Sequence, residues 1–480
     1  NDTHSHLLPF NHTEFGKDIG GIARRHELIK RIQAEKSICF LFDGGDIFQG
    51  TAFYSFFQGE VDIKAFDACG YDATVLGNHD LDDGLANTQR QFASSTMRLL
   101  CANVFGADGK PVFPGWQIFD REGMKVGVIG AIGSIAWEVV SGRNRHGMVF
   151  KEHEDLVASL AAWLQPQVDL VVLLSHAGYE SDLDFAARPT DVDVIVGGHT
   201  NTTLYQPQLI KHRPALVPNR SDNGLGGTLV VQAFKWGAFL GRLDLWVNPD
   251  KTIATYSGHL EKVDSTITVA SDSPVLRLVD SFNEQIKFRT DVVIGKCLET
   301  MIYPEEDKHR RLLPLGVWVC ESMCQFAHAD LAIMNSGTIR DMLSSGPVTM
   351  GTLYTIIPFE NTVVTLEMTG LQIQEMLNYI AANYGKISGF QTAGVSWALN
   401  SKSGKALAIA VQNKPLELDR LYKVATISYL ADGNQHGQEL FRGVARRSDM
   451  GFLLRDVLVE ALQQNPEIRA PRADALSIVP

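Results

Sequence analysis

Short runs of apolar, β-branched residues punctuate the first half of the chain, and each ends in a glycine-rich polar turn. The runs are Ser37–Phe42, Ala73–Leu76, Val126–Ile132, Leu170–Leu174 and Val192–Val196. A continuous apolar run bounded by such turns predicts a strand buried on both faces, since neither face suits water. Between the runs the spacing predicts helices, among them Gly21–Glu35 and Asp155–Gln165. Strand and helix in alternation predict a layered α/β domain. Thr228–Phe234 and Gly241–Val247 read as antiparallel strands that close a sheet. The rhythm changes near residue 262. Asp272–Arg289 then reads as one amphipathic helix, with Val275, Leu278, Val279 and Phe282 on one face. The expected division is a domain over 1–262, a linker helix over 263–290 and a second α+β domain over 291–480. Leu371–Tyr384 is one of the helices expected in that second domain. No internal repeat or low-complexity tract interrupts either half.

Composition narrows the class. With 480 residues, 45% of them hydrophobic, the chain can build two or three cores, which excludes wholesale disorder. Its 43 Lys+Arg against 55 Asp+Glu leave a net charge of −12. That balance argues against nucleic-acid binding, which needs a positive footprint. An anionic substrate would need local cations to overcome the overall field. The best membrane-span candidate, Met124–Trp137, is interrupted by Lys125 and glycines and reads as a strand plus loop. No signal peptide is visible, and the chain opens on Asn1-Asp2-Thr3-His4, which reads as a processed product. The six cysteines are too few for a disulfide scaffold in a chain this long. Cys320 and Cys324, four apart on a predicted helix, read as ordinary buried thiols.

The predicted strand ends carry the chemistry. Asp2 and His4 open the chain, and Asp46 follows the run Ser37–Phe42. Asn78, His79 and Asp80 follow Ala73–Leu76, His176 follows Leu170–Leu174, and His199 follows Val192–Val196. In an open α/β sheet ligands bind at the carboxyl ends of strands, so all of these project to one edge. Carboxylate, imidazole and amide oxygen suit hard-to-borderline divalent metals such as Zn, Mn, Co or Fe. Two ions about 3.5–4 Å apart need a shared ligand, and a carboxylate can bridge. Asp46 is the natural bridge: one ion takes Asp2, His4 and Asp46, the other Asp46, Asn78, His176 and His199. Each residue has a plainer reading when taken singly. Asp46 suits a turn, His176 a satisfied core histidine and His199 a loop. The ordered set is what points to metal.

These segments resemble the calcineurin-like metallophosphoesterases, and within them the two-domain 5′-nucleotidase/UDP-sugar hydrolase group. The matching stretches are Asn1-Asp2-Thr3-His4-Ser5-His6, Gly20-Gly21-Ile22-Ala23-Arg24, Asp43-Gly44-Gly45-Asp46, Gly77-Asn78-His79-Asp80-Leu81-Asp82, Ser175-His176-Ala177-Gly178 and Gly197-Gly198-His199. A looser match comes later in Asn335-Ser336-Gly337-Thr338-Ile339-Arg340, Pro358-Phe359-Glu360-Asn361 and Thr426-Ile427-Ser428-Tyr429. The resemblance implies a four-layer sandwich, two sheets flanked by helices, with a smaller α+β C-terminal domain after it. It also implies a strand just before Asp2, a periplasmic or extracellular location, and His79 with Asp82 as a catalytic dyad. Chemistry agrees with the dyad. A cationic His79 can stabilise phosphoryl charge or protonate a leaving alkoxide, and Asp82 can fix its tautomer. Asp80, Asp82 and Asp83 equally suit a helix start.

The chain departs from the pattern at several positions. Where many relatives carry Gly-His-x-His, the second histidine is Asn201, which either ligates metal or orders a ligand water. The substrate loop reads Asn335-Ser336-Gly337-Thr338-Ile339-Arg340 in place of Asn-Gly-Gly-Gly-Ile-Arg. Arg340 can still hold phosphate through its planar fork, or sit in a surface ion pair. Two base-stacking rings are expected by resemblance. Phe390 replaces the first or packs in a core, and His436 stands where the second is missing. The expected activity is therefore removal of phosphate from 5′-nucleotides or related small esters. A cyclic-nucleotide, nucleotide-sugar or sulfur-ester hydrolase and a vestigial binding protein are the alternatives.

Overall fold

The computed structural model describes residues 1–12, 14–36, 38–213 and 223–479, which form two compact units, Asn1–Glu284 and Gln285–Pro480.

The first unit is organised by a six-stranded sheet. Its order is Gln208–Lys211, Gly227–Val231, Val194–Gly197, Leu170–His176, Met124–Ile132 and Trp116–Arg121. The inner strands are parallel: Val126 to Ile132 face Leu170 to His176 in register, and Val194 to Gly197 face Val172 to Ser175. Every residue of Leu170–His176 is buried, as its unbroken apolar run requires. On one face Val171, Leu173 and Ile195 pack on Val157, Ala161 and Leu164 of the helix Glu154–Leu164 and on Phe185. On the other, Val126, Val172, Leu174 and Val194 pack on Ala73, Val75 and Leu100, with Leu243 and Leu245 against them. The short pair Ala73–Val75 and Arg98–Leu100 thus covers the second face together with the hairpin Phe239–Val247/Ile253–Lys262.

Several local expectations are revised. Residue 37 of the run Ser37–Phe42 lies outside the described residues. Among the described residues the rest pairs at its end, through Phe42–Ala73 and the amides of Asp43 and Asp72. The run Thr228–Phe234 is antiparallel on one side only. Gly227–Val231 is parallel to Val194–Gly197 and antiparallel only to the edge strand Gln208–Lys211. That edge strand runs back along the sheet first, so the chain returns in the parallel sense. Gly241–Val247 belongs to the separate two-stranded hairpin. The helix Pro274–Thr290 buries Val275, Val279 and Ile286, while Phe282 meets Phe57 edge-on at 4.8 Å.

In the second unit a five-stranded sheet runs Phe390–Ala393, Leu331–Asn335, Leu421–Ile427, Thr362–Thr369 and Arg446–Leu453. Leu331–Asn335 is wholly buried at its centre. The helices Pro314–Ala327, Gly370–Ala382 and Leu454–Gln464 supply Val319, Ile373, Leu377 and Leu458 to the same core. Gly370–Ala382 begins where Thr369 and Gln372 form a reciprocal capping box, a start signal readable from Thr-x-x-Gln. The six cysteines are free thiols, and among the described residues no helix is long and apolar enough to cross a membrane.

Candidate metal centre

Sheet order brings the predicted residues together. His176 is the last residue of Leu170–His176, and His199 lies two past Val194–Gly197, the neighbouring strand. Asn78 and His79 come just after Ala73–Val75. The amino-terminal segment runs against the Asp46 turn: the amides of Asp2, His4 and Ser5 donate to the carbonyls of Gly45, Asp46 and Ile47 at 2.9, 3.0 and 2.9 Å. Six non-glycine residues here sit in the left-handed region: Asp2, His4, Ser5, Asp46, His199 and Asn201 (φ 48–73°). Such backbone is costly for residues with a Cβ and persists where the surroundings impose it, often at functional sites.

Asp46 stands at the centre. Its Oδ2 lies 3.2 Å from His176 Nε2 and 3.8 Å from His4 Nε2. Donor atoms of Asp2, His4 and Asp46 lie within 4.8 Å of one another, and so do those of Asp46, His176 and His199. Asn78 Oδ1 is 2.9 Å from His199 Nδ1 and 3.2 Å from His176 Nε2. Among the described residues Asn201 Oδ1 is buried without a hydrogen-bond partner, an expensive state for an amide oxygen unless a cation or water meets it. The tautomers are set by carbonyl partners. His176 Nδ1–H donates to Gly44 O at 2.7 Å and His4 Nδ1–H to Phe48 O at 3.2 Å, which turns both Nε2 atoms toward Asp46. The donor set fits a divalent cation in type, burial and spacing.

Electrostatics bind the cluster together. Burial opposes ionisation of Asp46, but His176 and His79 outweigh it and hold the carboxyl well below its ordinary range. Burial pushes Asp2 up to about 6, with Asp46 adding to the rise and His176 opposing it. Burial alone would lower His176, yet Asp46 raises it to about 10. Beside the cluster, His79 Nδ1–H donates to Asp82 Oδ2 at 2.9 Å, and the His79 ring meets His4 edge-on at 5.3 Å. Burial raises Asp82 despite the pull of His79.

Two residues support these ligands in roles that the sequence reading did not assign. Asn1 donates through Nδ2 to Asp2 Oδ2 at 2.6 Å and accepts the Ala233 amide at 2.8 Å. Asp80 does not serve as a helix-start carboxylate. It accepts amides of the Asp46 turn and the Gly77 amide at 2.8 Å. Burial and the charge of Asp46 raise it to about 7, against the pull of the amides of Gly77 and Phe48. The three-residue step from Gly77 to Asp80 was the available signal, since Asp accepts nearby backbone amides in turns.

In the second unit the substrate candidates are more scattered. Asn335 Nδ2 donates to Gln435 Oε1 at 2.8 Å, and Tyr379 shares a 2.9 Å hydrogen bond with Nδ1 of the adjacent His436. Phe390 pairs with Asn335 across the sheet, but its side chain is 8% exposed and belongs to the core. Arg340 lies over the Phe359 ring at 5.9 Å. Elsewhere Glu152, His153 and Glu154 also gather donor atoms.

Residues 1–202 match the calcineurin-like phosphoesterase family, and residues 293–442 match the 5′-nucleotidase C-terminal domain. A 5′-nucleotidase of Vibrio vulnificus is 27% identical over 98% of this chain and 90% of its own length. Protein UshA of Escherichia coli is 25% identical over 97% of this chain and 90% of its own length. The crystal structure of a 5′-nucleotidase precursor from Thermus thermophilus superposes with a TM-score of 0.90 at 25% identity, covering 100% of this chain and 98% of that one. The same fold recurs in sulfate thiohydrolase SoxB of Thermus thermophilus, with a TM-score of 0.78, 20% identity and coverage of 99% and 86%. The chain therefore joins a calcineurin-like phosphoesterase domain to a 5′-nucleotidase C-terminal domain and is a metal-dependent hydrolase of phosphate esters.

Proposed function

We propose that this phosphate ester hydrolase acts on 5′-nucleotides, releasing nucleoside and phosphate. The observation that carries the reading is the shared carboxylate: Asp46 stands in both donor groups. Asp2, His4, Asp46 and Asn201 would hold one divalent ion, and Asp46, Asn78, His176 and His199 a second, with Zn, Mn, Co or Fe suited to the set. Two such ions would supply a hydroxide near neutral pH and neutralise phosphoryl charge. The chain's own residues do the rest. Gly44 and Phe48 carbonyls hold His176 and His4 in the ligating tautomer. Asp82 holds the Nδ1 proton of His79 and favours its cationic form, which donates a proton to the leaving alkoxide. Asn335, Arg340 and His436 are the candidates for holding the nucleotide.

The nucleotide assignment is supported by relatives named 5′-nucleotidase that match along the length of the chain. A different leaving group is favoured by one observation: Phe390 is committed to the core and presents little ring face for base stacking. Phosphate release with and without Mn²⁺ separates the two. The panel holds 5′- and 3′-nucleotides, 2′,3′-cyclic nucleotides, UDP-glucose and an aryl phosphate. Release from 5′-nucleotides, lost in His79→Ala, is expected. Release from another ester alone moves the substrate, and no metal-dependent release refutes the reading.

A further inference from the structure

We infer that Asp80 is the positioning residue for the shared carboxylate Asp46. The inference rests on the proposed role of Asp46 between two ions. Asp80 is 1% exposed, and its two oxygens accept four backbone amides. Oδ1 takes Ile47 and Phe48 at 3.0 and 3.1 Å, and Oδ2 takes Asp46 and Gly77 at 3.2 and 2.8 Å. Three of the donors are consecutive amides of the turn that carries Asp46. That turn holds Asp46 at φ 53°, backbone that a non-glycine residue adopts only when held there. The two oxygens of a carboxyl group offer about four acceptor sites, which match four converging amides.

The fourth donor links this clamp to the other side of the centre. Gly77 precedes Asn78 and His79, and the His79 amide donates to Asp46 Oδ1 at 2.8 Å. Asp46 is thus held by its backbone through Asp80 and by one carboxylate oxygen through His79. Its other oxygen faces His176 Nε2 at 3.2 Å. The packing leaves no slack: a Cβ on Gly77 would lie 2.2 Å from Asp46 Oδ1 and 2.4 Å from its amide nitrogen. Thr88 Oγ1 donates to the Asp80 carbonyl and anchors the clamp from the next helix, Gly84–Phe92.

Asp80→Asn tests this, because one acceptor oxygen becomes an NH₂ that opposes the amides. Mn²⁺ binding by titration calorimetry is expected to weaken by roughly 10–100-fold, the usual effect of removing a residue that supports a metal ligand. The turnover number on an aryl phosphate is expected to fall at limiting Mn²⁺ and recover at saturation, with KM unchanged. A purely structural Asp80 would lower the melting temperature of the metal-free chain and leave Mn²⁺ affinity within twofold, which overturns the inference. If Asp80→Asn is not recovered folded, Asp80→Glu is titrated in the same way. Weakened Mn²⁺ binding supports the inference, and unchanged binding overturns it. Wild-type protein that takes up no Mn²⁺ overturns the metal reading itself and this inference with it. Wild-type uptake with unchanged variant affinity overturns this inference alone.

Discussion

His79 and Asn201, both proposed for the metal centre, are expected to fail differently when changed. The His79 ring bonds to Asp82 and meets His4 edge-on, while its backbone amide donates to Asp46. His79→Ala is expected to lower the turnover number by roughly 10²–10⁴, the range for a positioned general acid. Bound metal is expected to stay constant, as measured by elemental analysis beside steady-state kinetics. Asn201 is the reverse case: its buried Oδ1 meets no hydrogen-bond partner among the described residues. Asn201→Ala is expected to weaken retention of one metal equivalent about tenfold or more, read by stoichiometry after dialysis. Equal retention would assign Asn201 to water ordering instead.

At the scale of elements, the parallel strands Leu170–His176 and Val194–Gly197 set the site through the residues at their carboxyl ends. Gly198 continues the second strand where the backbone passes Gly44. A Cβ there would lie 2.2 Å from Gly44 O and 2.9 Å from His176 Nδ1. Gly198→Ala is expected to break the His176–Gly44 hydrogen bond and cost about 1–3 kcal/mol, as overpacking does, measured by urea unfolding. The helix Tyr179–Ala186 supplies a second prediction. Burial pushes Asp182 up to about 8, opposed by the hydrogen bond from Ser175 and the charge of His176. The unfolded chain releases that proton near 3.8. Between these values the folded protein binds a proton the unfolded chain has lost, so this contribution to stability declines as pH rises. It is complete below about pH 3.8 and gone above about 8. The slope is at most roughly 1.4 kcal/mol per pH unit. Asp182→Asn is expected to flatten the pH dependence of the urea midpoint across that window, and an unchanged slope would refute the assignment.

For the whole molecule, the decisive variable is the metal. A ligand that binds only the folded state stabilises it by mass action, by about 2.7 kcal/mol at a hundred times its dissociation constant. Mn²⁺ is expected to raise unfolding free energy by this order, and EDTA to reverse the gain and abolish turnover. Asp46→Asn is expected to lose both effects, because Asp46 belongs to both donor groups. Calorimetry with and without Mn²⁺ checks the shift. The net charge of −12 adds a demand at this scale: an anionic ester must meet local cations at the site rather than a favourable overall field.

Much of this protein was determined by the sequence alone. Continuous apolar runs specify buried strands, and polar residues at their carboxyl ends specify one reactive edge. Asp2, His4, Asp46, Asn78, His176 and His199 could therefore be named before any contact was known. The Thr369–Gln372 box likewise marks its helix locally. What the sequence could not decide depends on chain segments far apart meeting. The parallel sense of Gly227–Val231 depends on the edge strand Gln208–Lys211 turning back first. Phe390 reads equally as a stacking ring or a core residue until the second sheet turns it inward. Asp80 resembles any helix-start carboxylate until the Asp46 turn, more than thirty residues upstream, brings three amides to it. Local pattern carries element type and burial because these are properties of periodicity. Hydrogen-bond partners are not, since only tertiary packing chooses which amide meets which carboxylate.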